Sequence, residues 1–397
     1  EGNHLVHWVM HGRLETYSYE QFESVFNKPE IVKARFQGRR ESGKPAAKLS
    51  RPPVFTIPGH RSIVRTTAQR FPLEIDLADV RIRNLRVLVN GKPEIDIIRS
   101  TDRSRQVVDI PLFPGANRIT AIAYDGRGFS STPQYLDVLC EQEELPKPDL
   151  YVVAIGVSDY PRLPEAWQLE FAHTDAGALA STAHRLANKG YNQVYTTLLT
   201  NQNATVARIA AAIEACRKAS RNDLVIIFLA GHGIRDNAGQ FHFLTRDGTL
   251  HSPEKNSLNW AFMQQRLANL RGRVIVFLDA CHSGALVTET VVPNNELARQ
   301  FFTQGRSGVL VFSASKGRQY SMESPDIGGG HGLFTYALIT AMEQKAGRTD
   351  KNRNGYIEFM ELADFVTHYV DDLSGGQQTP WISRKELFGD LPLVQVN

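Results

Sequence analysis

The chain has 397 residues, 42% of them hydrophobic and 22% charged, and a net charge of +3 from 45 basic and 42 acidic side chains. That length exceeds one ordinary core and predicts two domains. The near balance of charge gives no concentrated basic face of the kind nucleic acid requires, and no apolar run approaches the ~20 residues of a membrane span. Neither nucleic acid nor membrane is therefore expected as a partner. The three cysteines, Cys140, Cys216 and Cys281, are too few and too odd in number for a disulfide framework, and point to a reducing compartment, the cytoplasm.

In chain order, residues 1–50 read as an N-terminal helical segment and a basic linker. Ser18–Phe26 and Lys28–Phe36 have helical spacing. Arg35, Arg39, Arg40, Lys44, Lys48 and Arg51 stand among Gly, Ser and Pro, as in a solvated linker. Residues 51–145 read as the next domain, in which the period changes to two from about Phe71 to Leu139. Val80–Val89 runs into Asn90-Gly91, a strong hairpin signal, and Arg105–Leu112 and Asn117–Tyr124 follow between further Gly, Pro and Asp turns. Short strands so spaced predict a small immunoglobulin-like β-sandwich, read as a structural or docking module. A charged linker with Pro146 and Pro148 ends it.

Residues 149–397 alternate strand and helix. Strands are predicted at Leu150–Val157, Val194–Leu199, Leu224–Leu229, Val274–Ala280 and Gly308–Ser313. Helices are predicted at Ala172–Asn188, Ala204–Ala219 (capped by Asn203), Asn259–Leu270, Asn294–Thr303, Gly332–Lys345 and Glu358–Asp371. Continuous apolar strands between helices predict a mostly parallel sheet covered on both faces, with its site beyond the carboxyl ends of the strands. Two runs end in reactive side chains: Leu224–Leu229 leads to Ala230-Gly231-His232-Gly233, and Val274–Leu278 leads to Asp279-Ala280-Cys281-His282-Ser283-Gly284. A thiolate nucleophile needs a base beside it, and an oxyanion needs N–H donors. Cys281 and His232 suit the first requirement, and the backbone amides of Gly233 and Cys281 the second. Gly231 and Gly233 read as clearing space for a substrate backbone. His282 is a rival base, and a serine nucleophile lacks the Gly-x-Ser-x-Gly frame around Ser283. Cys216 reads as a core residue.

These two motifs resemble those of the caspase-like cysteine peptidases, in the metacaspase, paracaspase and bacterial branch. The resemblance extends through Val153–Tyr160, Thr174-Asp175-Ala176, Phe312–Ser315 and Gly330–Leu338, and covers roughly residues 149 to 390. It implies a cysteine endopeptidase fold and activity. It also implies a primary pocket lined by Asp175 and Asp279, and two carboxylates there favour Arg or Lys before the scissile bond. Thr174 departs from the Asn usual at its position. The competing readings are a helix-terminal charge for Asp175 and a loop contact for Asp279.

Asp350–Glu361 matches the calcium-loop pattern, with Asp350, Asn352, Asn354, Tyr356 (through its carbonyl) and Glu361 as ligands. A plain helix–turn–helix competes, because Lys351 and Arg353 dilute the charge. No cofactor is required for the thiol chemistry. Glu289–Gly305 occupies the place of the family's processing linker, and Arg299 and Arg306 are sites the enzyme's own specificity would accept. The alternative function is a regulatory, non-catalytic caspase-like protein that docks a partner through its β-domain.

Overall fold

The computed structural model describes residues 7–9, 16–18, 21–22, 50–58, 63–90, 92–98, 104–113, 115–141, 147–187, 189–236, 240–280, 309–316, 319–343, 349–382 and 391–396. The chain divides into two compact units, Glu1–Leu145 and Pro146–Asn397.

In the first unit β1 (His7–Val9) and β2 (Thr16–Ser18) form an antiparallel ribbon that the sequence reading did not anticipate. The helical stretches expected there lie outside the described residues, apart from Ser18, which ends β2, and Gln21 and Phe22. Phe22 packs edge-on against Phe129. Seven strands follow: β3 (Val64–Thr66), β4 (Arg70–Asp76), β5 (Ile82–Val89), β6 (Lys92–Ile98), β7 (Arg105–Pro111), β8 (Gly115–Asp125) and β9 (Gln134–Cys140). They make a five-stranded sheet in the order β3-β9-β8-β5-β6 and a separate β4-β7 pair. Alternation drives this arrangement: β4 buries Phe71, Leu73 and Ile75 and exposes the residues between them. Those side chains share one apolar cluster with Leu85, Val87, Ile119 and Leu136 of the larger sheet. Asn90, in the left-handed region at φ 51°, turns β5 into β6.

The second unit is built on six strands: β10 (Leu150–Gly156), β11 (Val194–Thr200), β12 (Leu224–Gly231), β16 (Arg273–Ala280), β17 (Val309–Ser313) and β21 (Trp381–Ile382). Between them come β13 (Gly233–Arg235), β14 (Phe241–Leu244), β15 (Ser257–Asn259), β18 (Glu323–Ser324), β19 (His331–Gly332) and β20 (Tyr356–Glu358), and β22 (Pro392–Gln395) comes last. The sheet order is β11-β10-β12-β16-β17-β21, parallel except for the last strand. Every residue of β12 is buried, so this strand needs cover on both faces.

Six α-helices are described: α1 (Ala172–Arg185), α2 (Val206–Ala215), α3 (Pro253–Asn256), α4 (Trp260–Ala268), α5 (Leu333–Glu343) and α6 (Phe359–Ser374). Five of them pack in two groups, α1 with α5 and α5 with α6, and α2 with α4, while α3 packs on β14 and β15. The helix expected at Ala204–Ala219 starts later. Thr205, not Asn203, caps it by accepting the Arg208 N–H, while Asn203 ends a preceding 3₁₀ turn. The cause is local: Thr205 takes extended backbone, which an N-cap requires. Asn259 caps α4, accepting the Phe262 N–H. The segment Asn294–Thr303 lies outside the described residues. Among the described residues no helix is long and apolar enough to cross a membrane.

Candidate active site

β12 and β16 run side by side in register, and the last pairs of their ladder are Ala230 with Asp279 and Gly231 with Ala280. His232 follows directly on β12 and is buried. Its Nε2 lies 2.8 Å from the carbonyl oxygen of Trp167. A carbonyl only accepts, so Nε2 carries the proton and Nδ1 is the basic nitrogen of the neutral ring. The ring is held between Tyr160 and Trp167, with centroids 5.0 and 5.2 Å away. The His232 N–H donates to Tyr160 Oη at 3.0 Å. Tyr160 and the Trp167 carbonyl were not visible as site elements in the sequence, since a carbonyl has no residue signature. The aromatic pair on either side of Pro161 and Pro164 was the one available hint.

Gly231, at φ 154°, has a different reason from the one expected. A Cβ there would meet Tyr160 Oη at 2.8 Å and the Phe243 ring at 3.0 Å. The missing side chain admits the tyrosine that holds His232; the space is already filled from within. Gly233 opens β13, which pairs with β14 opposite Phe243. The Leu244 N–H donates to the His232 carbonyl, which makes Gly233–Phe243 a non-hydrogen-bonded pair. The ladder with β14 therefore leaves the Gly233 N–H unused.

Cys281 lies outside the described residues, as do His282, Ser283, Gly284, Arg299 and Arg306. The other two thiols are free and buried. The Cys140 thiol donates to the Ala68 carbonyl. Burial pushes the Cys216 thiol up to about 11, which keeps it out of nucleophilic chemistry at neutral pH.

Asp175 and Asp279, far apart in sequence, come together on either side of Gly332. A Cβ on Gly332 would sit 2.9 Å from Asp175 Oδ2 and 3.1 Å from Asp279 Oδ2. Both carboxylates are buried. Asp175 accepts from His331 Nδ1 at 2.7 Å and from the Gly332 N–H at 3.1 Å. Asp279 accepts from Thr335 Oγ1 at 3.0 Å. Burial raises the Asp175 carboxyl above its ordinary range against the opposing pull of His331. Burial, and then the negative charge of Asp175, push Asp279 up to about 7. Glu323 adds a third acid. Its carboxylate accepts the N–H groups of Glu170 and Phe171 at 3.3 Å, just ahead of α1, and burial raises it as well. No periodicity or spacing in the sequence marks Glu323. Gln378 of the Gln-Thr-Pro motif is buried and ties this region together, donating to the Ala314 carbonyl and accepting the Met322 N–H.

The Asp350 loop closes on its own main chain. Asp350 accepts from the N–H groups of Asn354 and Gly355. Glu361 accepts from those of Lys351, Asn352 and Glu358, and Glu358 and Glu361 form a capping box on α6. Two carboxylates and two amide oxygens are hard donors of the type calcium takes. Lys351 is turned away to pair with Asp364, which removes part of the charge objection. Among the described residues no group of three or more His, Cys, Asp or Glu could hold a metal.

The second unit is an α/β fold in which His232 follows the carboxyl end of a parallel strand and Asp279 stands near the end of the next. The model of the caspase domain, Peptidase C14, matches residues 150–392, more than half of the chain, and the protein belongs to that family of cysteine peptidases. No curated protein matches the chain. Three solved structures show faint likenesses. The fibronectin(III)-like modules of Clostridium thermocellum CbhA match at 20% identity and a TM-score of 0.19, over 23% of this chain and 100% of theirs. A lytic polysaccharide monooxygenase from Jonesia denitrificans matches at 13% and 0.18, over 20% of this chain and 57% of that one. The salicylyl-acyltransferase SsfX3 from a tetracycline biosynthetic pathway matches at 10% and 0.21, over 66% and 72%. At such TM-scores none of them bears on fold or function.

Proposed function

We propose that this protein is a cysteine endopeptidase that cleaves proteins after arginine or lysine, with Cys281 as nucleophile and His232 as acid–base. One observation carries the reading: the ladder of β12 and β16 ends at Gly231 and Ala280, and the next residues of the two strands are His232 and Cys281. The Trp167 carbonyl on Nε2 leaves Nδ1 for the thiol proton. In this reading the Cys281 thiolate attacks the scissile carbonyl carbon. His232 delivers the proton to the leaving amine as the C–N bond breaks, and water then hydrolyses the thioester. The N–H groups of Gly233 and Cys281 receive the oxyanion. Asp175 and Asp279 receive the guanidinium or ammonium of the substrate, which is favoured because both are buried and each raises the cost of the other's charge.

The test compares hydrolysis of peptides ending in Arg, Lys or Asp by wild type, Cys281→Ala and Asp279→Ala. Cleavage after Arg and Lys is expected from wild type, none from Cys281→Ala, and a loss of at least about tenfold from Asp279→Ala. Cleavage after Asp overturns the acidic pocket. No cleavage at all, with calcium and reducing agent present, favours the non-catalytic docking reading.

The rest of the proposal concerns setting and control. We read residues 51–145 as an immunoglobulin-like sandwich that docks a regulatory partner, since two sheets share one apolar core there. Residues 1–50 are the segment and linker before it, and residues 149–397 are the peptidase domain. Free, buried thiols at Cys140 and Cys216 suit the cytoplasm. Self-cleavage at Arg299 or Arg306 is tested by comparing the intact masses of wild type and Cys281→Ala. Calcium at Asp350, Asn352, Asn354, Tyr356 and Glu361 is tested by calorimetric titration of the metal alone.

A further inference from the structure

Asp175 lies in the first turn of α1, where a carboxylate ordinarily faces the N–H groups of its own helix. It does not do so here. Both of its oxygens receive donors from β19: the His331 imidazole on Oδ1 and the Gly332 amide. With Asp175 ionised its oxygens only accept, so His331 Nδ1 carries the proton of this bond. The imidazole also lies nearly parallel to the Tyr336 ring, with centroids 6.3 Å and planes 17° apart. It is partly open to solvent, while the carboxylate it holds is nearly sealed. The other carboxylates of the region, Asp279 and Glu323, have donors of their own in Thr335 and the amides before α1.

We propose that His331 is the positioning residue of the acidic pocket: through Nδ1 it fixes the orientation of Asp175 so that the carboxylate meets the cationic side chain of the substrate. This rests on the Arg/Lys specificity proposed above. A carboxylate free to rotate about χ2 would satisfy its own burial by turning to other donors, and the arriving cation would have to pull it back. Fixing it beforehand moves that cost out of substrate binding. His331 touches neither the scissile bond nor the thiol–imidazole pair in this scheme. Its removal should therefore weaken binding and leave the chemical step alone.

The experiment uses the full chain with His331→Ala and His331→Asn, because an Asn amide nitrogen can stand in for Nδ1 as a donor. KM and kcat are measured on a peptide ending in Arg. Agmatine binding is measured by calorimetry on the same variants in the Cys281→Ala background, and thermal melts check the fold. His331→Ala is expected to raise KM and the agmatine Kd about tenfold with kcat within about twofold, and His331→Asn to restore most of the loss. Unchanged KM and Kd in His331→Ala, a fall in kcat as large as the rise in KM, or no rescue by Asn would each overturn the positioning role while the Arg/Lys reading stands. Wild type that neither cleaves after Arg or Lys nor binds agmatine would overturn that reading, and this inference with it.

Discussion

Asp279 holds a carboxyl that burial and Asp175 push up to about 7, while in an unfolded chain it titrates near ~3.9. Between those values the folded protein keeps a proton that the unfolded chain has already lost. Stability therefore falls as pH rises across this window, and the cost is complete above about 7. Asp279→Asn keeps the shape, still accepts from Thr335 and carries no charge. It should be more stable than wild type at pH 8, by a few kcal/mol at most at ~1.4 kcal/mol per pH unit, and the gap in denaturant unfolding should close near pH 4. A variant that gains as much at pH 4 as at pH 8 would sink the argument. The same ionisation predicts that agmatine binding to Cys281→Ala protein strengthens from pH 6 to pH 8, since the cation replaces the proton. Gly332 supplies a second expectation at this scale. Neither carboxylate can retreat from a Cβ there, because Asp175 is held by His331 and by the Gly332 amide itself, and Asp279 by Thr335. Gly332→Ala should raise KM for Arg peptides by at least about tenfold; normal kinetics in a folded variant would show that the pocket opens elsewhere.

At the scale of elements, α6 begins at a loop whose carboxylates bond its own main chain. Glu361 bonds three amides and completes the capping box with Glu358, so Glu361→Ala should cost about 1–2 kcal/mol with EDTA present. A denaturant midpoint that moves only when calcium is added would instead make the loop a metal site first. The main sheet was legible in the sequence because strands such as Leu224–Gly231 are apolar at every position and can be buried only from both sides. The ribbon β13-β14-β15 was not: Gly233–Arg235 has three residues, too few for any period to register, and its pairing is set by the tertiary surroundings of His232. Asn203 is the better capping residue by type, and it is the backbone that gives the cap to Thr205. His331 and Glu323 escaped notice because two-residue strands and a lone glutamate carry no pattern; the fold brings them to Asp175 and to the start of α1. Asp175 and Asp279 were legible through family resemblance, and composition alone would not have paired them.

At the scale of the molecule, each unit closes an apolar core of its own, one around Leu73, Leu85 and Ile119 and the other around Ile227, Phe277 and Phe334. Two cores imply two cooperative transitions, each answering to its own packing. Leu85 is buried in the first, and cutting it back to alanine removes packing worth about 2–5 kcal/mol there. Leu85→Ala should therefore lower one calorimetric transition and leave the other in place. Hydrolysis of a short Arg peptide should stay within about twofold of wild type below the lowered transition, because every group assigned to the chemistry and the pocket belongs to the second unit. If activity instead falls in step with the weakened transition, the all-β unit sustains the catalytic geometry directly, and its role is more than that of a docking module. A short peptide makes the measurement decisive: it is too small to need a docking surface, so any loss of rate must reach the site through the protein itself.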